Sequence, residues 1–302
     1  MNVIVIGSLS SGTKNDPKVI AEHLANQNIK VNLLYWEQLL FSIQTGSVVI
    51  SQNDQDIFDQ KIDLIIAVGW YKNGTDSVYR DVAYAFAQVA GSKNIPMWNS
   101  EMGMQRSTSK LSCLVQLALE NVPVPRTHFS LDNTLSLDNE PLPFVAKSPS
   151  ASRGRANYFV KDESEKSDLF LDRDNRYLVQ PFMPNDHDLR VICFAGKPHL
   201  VLRRSRQDGA DTHLNNTSQN GKSEWIDMSQ LPVDLLTECE KICKIMGREM
   251  AGIDFIPDQE SSFGYSCLEV NAVPQLTSGV DVDTKMNSLT QAIMSFGDRR
   301  QI

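Results

Sequence analysis

Three side chains with oxygen atoms lie in two short apolar segments near the end of the chain. Asp254 stands in the middle of GIDFI, and Glu269 and Asn271 lie two residues apart in CLEVNAV. A buried carboxylate without a partner is strongly unfavourable, and residues two apart on a strand point to the same face. Because Mg²⁺ prefers oxygen ligands, the pattern predicts a magnesium site. The alternatives are pairing with Arg or Lys, or exposure to water at the strand ends.

Cations elsewhere in the chain could bind an anionic substrate. Lys147 ends the apolar segment FVAK directly before the small-residue segment SPSASRG, an arrangement that suits phosphate chains. Lys110 lies near the start of a predicted helix, where the helix dipole does not favour a cation. Four arginines that could clamp an anion or a transferring phosphoryl group bracket two predicted strands: Arg190, Arg203, Arg204 and Arg206. For each of these cations, a solvated surface position is the alternative.

Other reactive residues predict no catalytic centre. The five histidines show no arrangement that indicates a Ser/His/Asp triad, and His213 is interpreted as a solvated loop residue rather than a base. Cys239 and Cys243 lie four apart on a predicted helix and are interpreted as a buried helix face rather than a metal site.

The segment GSLSSGTK (7–14) is similar to a phosphate loop, but its Lys follows Thr instead of Gly. A plain strand-to-helix loop is favoured there.

Strands and helices alternate in the first part of the chain. Strands are predicted at 2–7, 30–36 and 63–70, and helices after Asp16-Pro17 and over 78–89. This alternation indicates a parallel α/β layer.

The rest of the chain mixes shorter strands with helices. A helix within 106–128 is predicted to end at Asn121, and helices are predicted at 232–247 and 284–296. Strands are predicted at 144–148, 156–160 and 177–183 and around Asp254 and Glu269. Pro181 cannot donate to a sheet ladder, so it predicts a sheet edge or the exit of a strand. Residues 129–141 and 206–223 are predicted to be mobile loops.

Composition excludes some classes of partner. The chain has 302 residues and a formal net charge of −8, which disfavours sequence-independent binding of nucleic acid. No apolar run has the length of a membrane span, and the N-terminus lacks the features of a signal peptide. The five scattered cysteines favour a reducing cytoplasm.

The order of these segments resembles the ATP-grasp superfamily, in particular the RimK-type carboxylate–amine ligases. The matching stretches extend from about Trp98 to Asp281: WNSEMGMQRSTSKLSCLVQLALENVPVPRT, FVAKSPSASRG, YLVQPFM, DLRVICFAGKPHLVLRRS, LNNTSQNG, MAGIDFIPD and CLEVNAVPQLTSGVD. The resemblance implies an α/β and α+β fold. It predicts a Rossmann-like N-terminal domain at 1–98, a central ATP-grasp lobe at 99–184, and a C-terminal lobe with the metal site at 185–302.

The resemblance also implies roles for individual residues. Lys110 and Lys147 match lysines that contact ATP phosphates, and Asp188 matches a residue near the nucleotide. A hinge that binds adenine through its main chain is implied at Gln180, Pro181, Phe182 and Met183. Arg190 and Arg204 are implied catalytic residues, and Asn216, like Arg204, matches a residue that faces the phosphates and acyl substrate. The implied Mg²⁺ ligands, for which Mn²⁺ is an alternative ion, are Asp254, Glu269 and Asn271.

Two departures from the family pattern concern the nucleotide site. The loop SPSASRGRANYF contains Gly154 as its one glycine, where the family loop is richer in Gly and lets the backbone approach phosphate closely. Pro181 stands where the family often has an acidic residue. Its carbonyl can still accept a hydrogen bond from adenine, but a side-chain contact is lost.

The implied activity is ATP-dependent ligation of a carboxylate to an amine through an acyl phosphate, with release of ADP. The substrate would be an amino acid, a peptide or a protein, so peptide modification is included. A nucleotide-binding regulatory protein without ligase activity and an ATP-grasp phosphotransferase are the alternatives. By analogy, a homo-oligomer is expected.

Overall fold

A computed structural model describes residues 1–9, 16–68, 77–100, 109–149, 157–171, 175–206, 222–272 and 274–299. The helices are α1 (Pro17–Asn26), α2 (Ser77–Ser92), α3 (Lys110–Leu119), α4 (Asn133–Asp138), α5 (Glu163–Leu171), α6 (Val233–Met246) and α7 (Val282–Asp298). The strands of the first half are β1 (Asn2–Gly7), β2 (Lys30–Tyr35), β3 (Leu40–Gln44), β4 (Ser47–Gln52), β5 (Gln55–Asp56), β6 (Leu64–Ala67), β7 (Met97–Trp98) and β8 (His128–Phe129). Those of the second half are β9 (Phe144–Lys147), β10 (Asn157–Val160), β11 (Leu178–Pro181), β12 (His187–Phe194), β13 (Lys197–Ser205), β14 (Lys222–Ile226), β15 (Ala251–Pro257) and β16 (Tyr265–Asn271).

The N-terminal part contains a four-stranded parallel sheet in the order β2-β1-β6-β7. All six residues of β1 are buried, as a strand covered on both faces requires. Helix α1 begins where the Asp-Pro pair predicts, because the Asp16 side chain accepts a hydrogen bond from the Lys18 N–H and Pro17 occupies the first turn. The predicted parallel α/β layer is confirmed.

A small antiparallel sheet of β3, β4 and β5 was not predicted. Its hairpin runs from Leu40 to Gln52 without a charged residue, and Gly46 supplies the positive φ of 76° that the turn needs. Ile50 is buried, but Ile43 near the turn is exposed. Polar and apolar residues do not alternate regularly here, so the strand period is hard to recognise in the sequence.

The central part forms an antiparallel sheet in the order β10-β9-β11-β8. Strand β11 is internal and Pro181 is its last residue, which is the strand-exit position predicted for this proline. The prediction of a loop over 129–141 was wrong, because this stretch contains α4, which the Asp132 side chain caps through the Thr134 N–H. The helix predicted within 106–128 is shorter than expected and spans Lys110–Leu119.

The C-terminal part is built on a five-stranded antiparallel sheet in the order β14-β13-β12-β15-β16. One face of this sheet packs against α6 and α3 in an apolar core that contains all five cysteines. On the other face, Ile192 and Phe194 share a second core with α7 and the N-terminal strand β1. No described helix is long and apolar enough to cross a membrane.

Candidate active site

A row of alternating charges crosses one face of the five-stranded sheet. Arg190 on β12 lies opposite Asp254 on β15, and both oxygens of Asp254 accept hydrogen bonds of 2.7 Å from the Arg190 guanidinium. Arg204 on β13 lies opposite Asp188 on β12 and donates from Nε to Oδ1 at 2.5 Å. Residues that oppose each other on antiparallel strands point to the same face, so the strand register itself produces these pairs. We call these four residues together with Glu269 the charged row.

Glu269 joins the charged row because strand β16 contains a β-bulge. Glu269 pairs with Asp254, but Cys267 rather than Leu268 pairs with the next residue, Phe255. The extra residue lets Cys267 and Val270 both face the apolar core, while Glu269 faces Arg190 and Asp254. Strict alternation would have put Cys267 and Glu269 on the same face, and bulges commonly re-aim a side chain beside a functional site.

The two arginines keep part of the charged row ionised. Burial alone would raise the pKa of the Asp254 carboxyl, but Arg190 and Arg204 together hold that pKa below its usual value. Arg204, which contacts Asp188, also places its Nη2 atom 3.4 Å from Oδ1 of Asp254. Burial raises the pKa of Asp188, and Arg204 offsets only part of that increase. Both arginines are thus fixed cations whose positions depend on buried carboxylates.

Lys110 and Lys147 approach the charged row from other elements. Lys110 is the first residue of α3, and its Nζ lies 4.0 Å from Oε1 of Glu269. Lys147 ends β9 in the central sheet. Burial lowers the pKa of its ammonium to about 8, and the opposing influence of Glu269 and Asp188 places Lys147 in the same electrostatic environment as the charged row. The structure therefore brings together cations and carboxylates that are far apart in the sequence.

The predicted hinge lies at the end of β11, and its first residue makes a contact that the sequence did not predict. The buried Gln180 side chain accepts a hydrogen bond of 2.8 Å from Lys147 Nζ and donates one of 2.9 Å to Thr127 Oγ1. This contact fixes the position of the Lys147 ammonium. Pro181, Phe182 and Met183 follow as half-buried residues, and the Phe182 ring lies 4.3 Å from that of Phe159.

The remaining predicted residues fall into two groups. Arg203 lies on the opposite face of the sheet, where its Nη2 is 3.4 Å from His187 Nδ1, and Arg206 donates to the carbonyl of Asn185. Neither belongs to the charged row. Asn216, His213 and Gly154 lie outside the residues that the structure describes.

Asp254, Glu269 and Asn271 suit a divalent cation by the chemistry of their donor atoms. The register places Asp254 opposite Glu269 and Gly252 opposite Asn271, so the three oxygen-bearing side chains share one face. Pairing with Arg190 does not use all the lone pairs of the Asp254 carboxylate. In the described part of the chain, no group of three or more His, Cys, Asp and Glu could hold a metal ion.

Sequence reasoning missed Gln275 and Lys285. The Gln275 side chain accepts a hydrogen bond of 3.2 Å from Arg190, and the Lys285 ammonium donates to the carbonyls of Gln275 and Ser278 at 2.7 Å each. Burial and then Arg190 lower the pKa of Lys285 to about 8. A signal was available, because Lys285 falls on the apolar stripe of α7 with Met286.

The charged row and the strands that carry it lie within a stretch of the chain that matches a known protein family. Residues 107–295 match the RimK-like ATP-grasp domain, and the chain belongs to that family.

Two curated relatives are ligases or synthases. The chain is 22% identical over 259 residues to beta-citrylglutamate synthase B of Danio rerio, a match that covers 82% of this chain and 61% of the relative. It is 28% identical over 200 residues to a probable alpha-L-glutamate ligase of Trichodesmium erythraeum, with 62% of this chain and 65% of the relative covered. The chain thus spans less than two thirds of the length of these relatives.

A solved structure shows the same fold. It is that of a Chryseobacterium gregarium RiPP-associated ATP-grasp ligase in complex with ADP and a leader and core peptide. The TM-score is 0.70 at 13% identity, and the match covers 98% of this chain and 97% of the other. The predicted ATP-grasp fold is confirmed.

Proposed function

We propose that this protein is an ATP-dependent carboxylate–amine ligase that releases ADP. The observation that carries the proposal is the meeting of Lys110 and Lys147, which come from separate elements, with Glu269, which lies opposite Asp254 on the adjacent strand. Two ammonium groups facing two carboxylates on adjacent strands can hold the phosphates of ATP together with a divalent cation. Membership of the RimK-like ATP-grasp family supports this reading.

In this proposal the oxygens of Asp254, Glu269 and Asn271 hold Mg²⁺, or Mn²⁺ as an alternative. The cation would supply neutralisation of phosphate charge. Lys110 and Lys147 contact the phosphates, and Gln180 keeps the Lys147 ammonium in place. Adenine would contact the main chain of 180–183, and Asp188 and Asn216 would lie near the nucleotide and its phosphates.

Arg190 and Arg204 are proposed to act at the reacting groups. A substrate carboxylate attacks the γ-phosphate, ADP leaves, and the attack of an amine on the resulting acyl phosphate releases phosphate and forms the amide. Both arginines are held by carboxylates before the substrate arrives, so their charges need little reorganisation during the reaction. The protein supplies positioning and charge, without a covalent nucleophile.

The substrate proposed is an amino acid, a peptide or a protein. The named activities of the curated relatives support an amino acid, and the peptide complex of the structural neighbour supports peptide modification.

We also propose the domain limits 1–98, 99–184 and 185–302, with a Rossmann-like first domain, which the order of its parallel strands supports. A homo-oligomer and a cytoplasmic location are further proposals, the latter supported by five free cysteines.

Mass spectrometry of the products tests the proposal. The purified protein is incubated with MgATP and cell extract, and Lys147→Ala is the matched inactive control. We expect an ATP-dependent product that has gained an amino-acid residue or lost water, together with ADP. A phosphorylated product without an amide would indicate a phosphotransferase, and nucleotide binding without ADP release would indicate a regulatory protein; either result would contradict ligation.

A further inference from the structure

Asn99 is a buried polar residue that belongs to none of the groups described above. It follows β7 directly, has no exposed surface, and adopts a left-handed backbone with φ of 61°. Asn tolerates this conformation better than most residues. It also lies outside residues 107–295, which match the family domain.

The side-chain amide of Asn99 bridges the ends of two strands of the five-stranded sheet. Its Nδ2 donates to the carbonyls of Met250 at 2.9 Å and Ala272 at 3.1 Å, and its Oδ1 accepts from the Met250 N–H at 2.9 Å. The Asn99 backbone N–H donates to Glu249 Oε2 at 2.6 Å. An amide side chain has the donor and acceptor of a peptide group, so Asn99 continues the hydrogen bonding between β15 and β16 past the last strand pair.

The bridged strands are those that carry the proposed cation ligands. Met250 precedes β15, which contains Asp254, and Ala272 directly follows Asn271 at the end of β16. The last pair of the ladder is Gly252 with Asn271. Asn99 therefore sets the spacing of the two strands next to the position where Asn271 must meet the carboxylates.

We propose that Asn99 is a positioning residue for the cation site, and that it acts through the spacing of β15 and β16. The proposal rests on the proposed function, in which Asp254, Glu269 and Asn271 hold the cation. It connects the end of the N-terminal parallel sheet to the nucleotide site through Asn99. Residues that orient metal ligands typically change metal affinity about 10- to 100-fold when they are replaced.

The chain offers a matched pair of variants to test this role. Asn99→Gly removes the amide but suits the left-handed backbone, and Asn94→Gly makes the same change at an exposed residue with φ of 56°. Mg²⁺ is titrated into each protein in the presence of a non-hydrolysable ATP analogue, and the midpoint of nucleotide binding is measured. We expect Asn99→Gly to raise the midpoint at least about tenfold and Asn94→Gly to leave it unchanged. Asn99→Asp keeps the acceptor for the Met250 N–H, loses both donors, and should also raise the midpoint if Asn99→Gly does not fold.

Hydrogen exchange of the metal-free proteins gives a second readout that does not depend on the cation. Amides of 265–271 should exchange faster in Asn99→Gly than in the wild type, and Asn94→Gly should match the wild type. A lower melting temperature of Asn99→Gly with an unchanged Mg²⁺ midpoint would overturn the proposal, since it would show a purely structural role. If the wild type itself shows no Mg²⁺-dependent nucleotide binding, the proposed function fails, whereas the exchange data still decide whether Asn99 joins the two strands.

Discussion

The two faces of the five-stranded sheet are made by the same strands but differ in chemistry. On one face, Val191, Ile253 and Phe255 pack against α6 and α3 with the cysteines. On the other, Arg190 and Asp254 alternate with them and belong to the charged row. The first face holds the strands together by apolar burial, which allows the second to carry charges whose pairing alone contributes little net stability. We therefore expect substitutions on the face with the cysteines to change stability. Substitution of a proposed cation ligand in the charged row should instead change activity.

Glu269→Gln should have the largest effect on activity and a small effect on stability. The change removes a charge from the proposed cation site but keeps the size of a side chain that is 34% exposed. We expect ATP turnover to be abolished and the melting temperature to stay near that of the wild type. Glu224→Gln, on the exposed edge strand β14, is the control. Wild-type ADP release by Glu269→Gln would show that the metal assignment is wrong.

Phe255→Ala, one residue from Asp254, should show the opposite behaviour. Phe255 is fully buried on the apolar face, and removal of a buried Phe side chain costs about 3–5 kcal/mol. Chemical denaturation should show this loss, while turnover per folded molecule should stay close to wild type. The exposed Leu119→Ala serves as a control and should be nearly neutral. A stable Phe255→Ala protein with low turnover would break the division between the two faces.

Cys193→Ser should cause a smaller loss of stability. Cys193 is fully buried, and hydrogen bonds with the thiols of Cys239 and Cys243, together with burial, raise its pKa well above the usual value. A hydroxyl in this position must be buried with poor hydrogen bonding, which costs about 1–3 kcal/mol. Denaturation curves measure the loss, and Cys193→Ala separates the polar effect from the change in volume. An unchanged midpoint for Cys193→Ser would show that this face tolerates a polar group.

A pH dependence of nucleotide binding is also expected, and it should be small near neutral pH. Burial lowers the pKa of Lys147 to about 8 from an ordinary value near 10.5. As the pH rises, the folded protein therefore loses this proton at a lower pH than the unfolded chain does. Stability should therefore rise with pH between these two values, because the unfolded state binds more protons there. Nucleotide affinity should instead fall above pH 8, by up to about tenfold per pH unit, because the phosphates need the ammonium form.

Lys147→Arg should remove most of this pH dependence, because a guanidinium stays protonated throughout the range. Lys285 also has a pKa of about 8, so Lys285→Met is the matched control and should retain the fall in affinity. Isothermal titration with a non-hydrolysable ATP analogue between pH 7 and pH 10 measures the nucleotide affinity of the wild type and of both variants. An affinity of the wild type that does not change with pH would contradict a phosphate contact from Lys147.

Elements with a strong apolar period could be predicted from the sequence. The helix predicted at 232–247 is α6, Val233–Met246, and the strand predicted at 2–7 is β1. Helix α4 was missed because its six residues are too few to show a period. The hairpin of β3 and β4 was missed because its apolar residues lie on both faces.

The site could be predicted only as far as local spacing determines it. Glu269 and Asn271 were placed on one face because they are two residues apart. The partner of Asp254 depends on which strands are neighbours, and the sequence left pairing with Arg open as an alternative to cation binding. The structure shows that Arg190 is the main partner of Asp254 and that Arg204 also pairs with it. The bulge at Leu268 and the contact of Gln180 with Lys147 depend on long-range pairing, and neither has a local signature in the sequence.

The core that joins β1 to α7 has a consequence for biosynthesis. Val3 and Val5 of β1 share this core with Leu289 and Ile293 of α7. A ribosome that has made residues 1–100 has therefore made α1, which packs in the same core, but not α7, which completes the cover of that side of the parallel sheet. Until α7 has been made, that side of the sheet exposes apolar surface, and we expect the nascent chain to depend on chaperones until this helix has emerged from the ribosome.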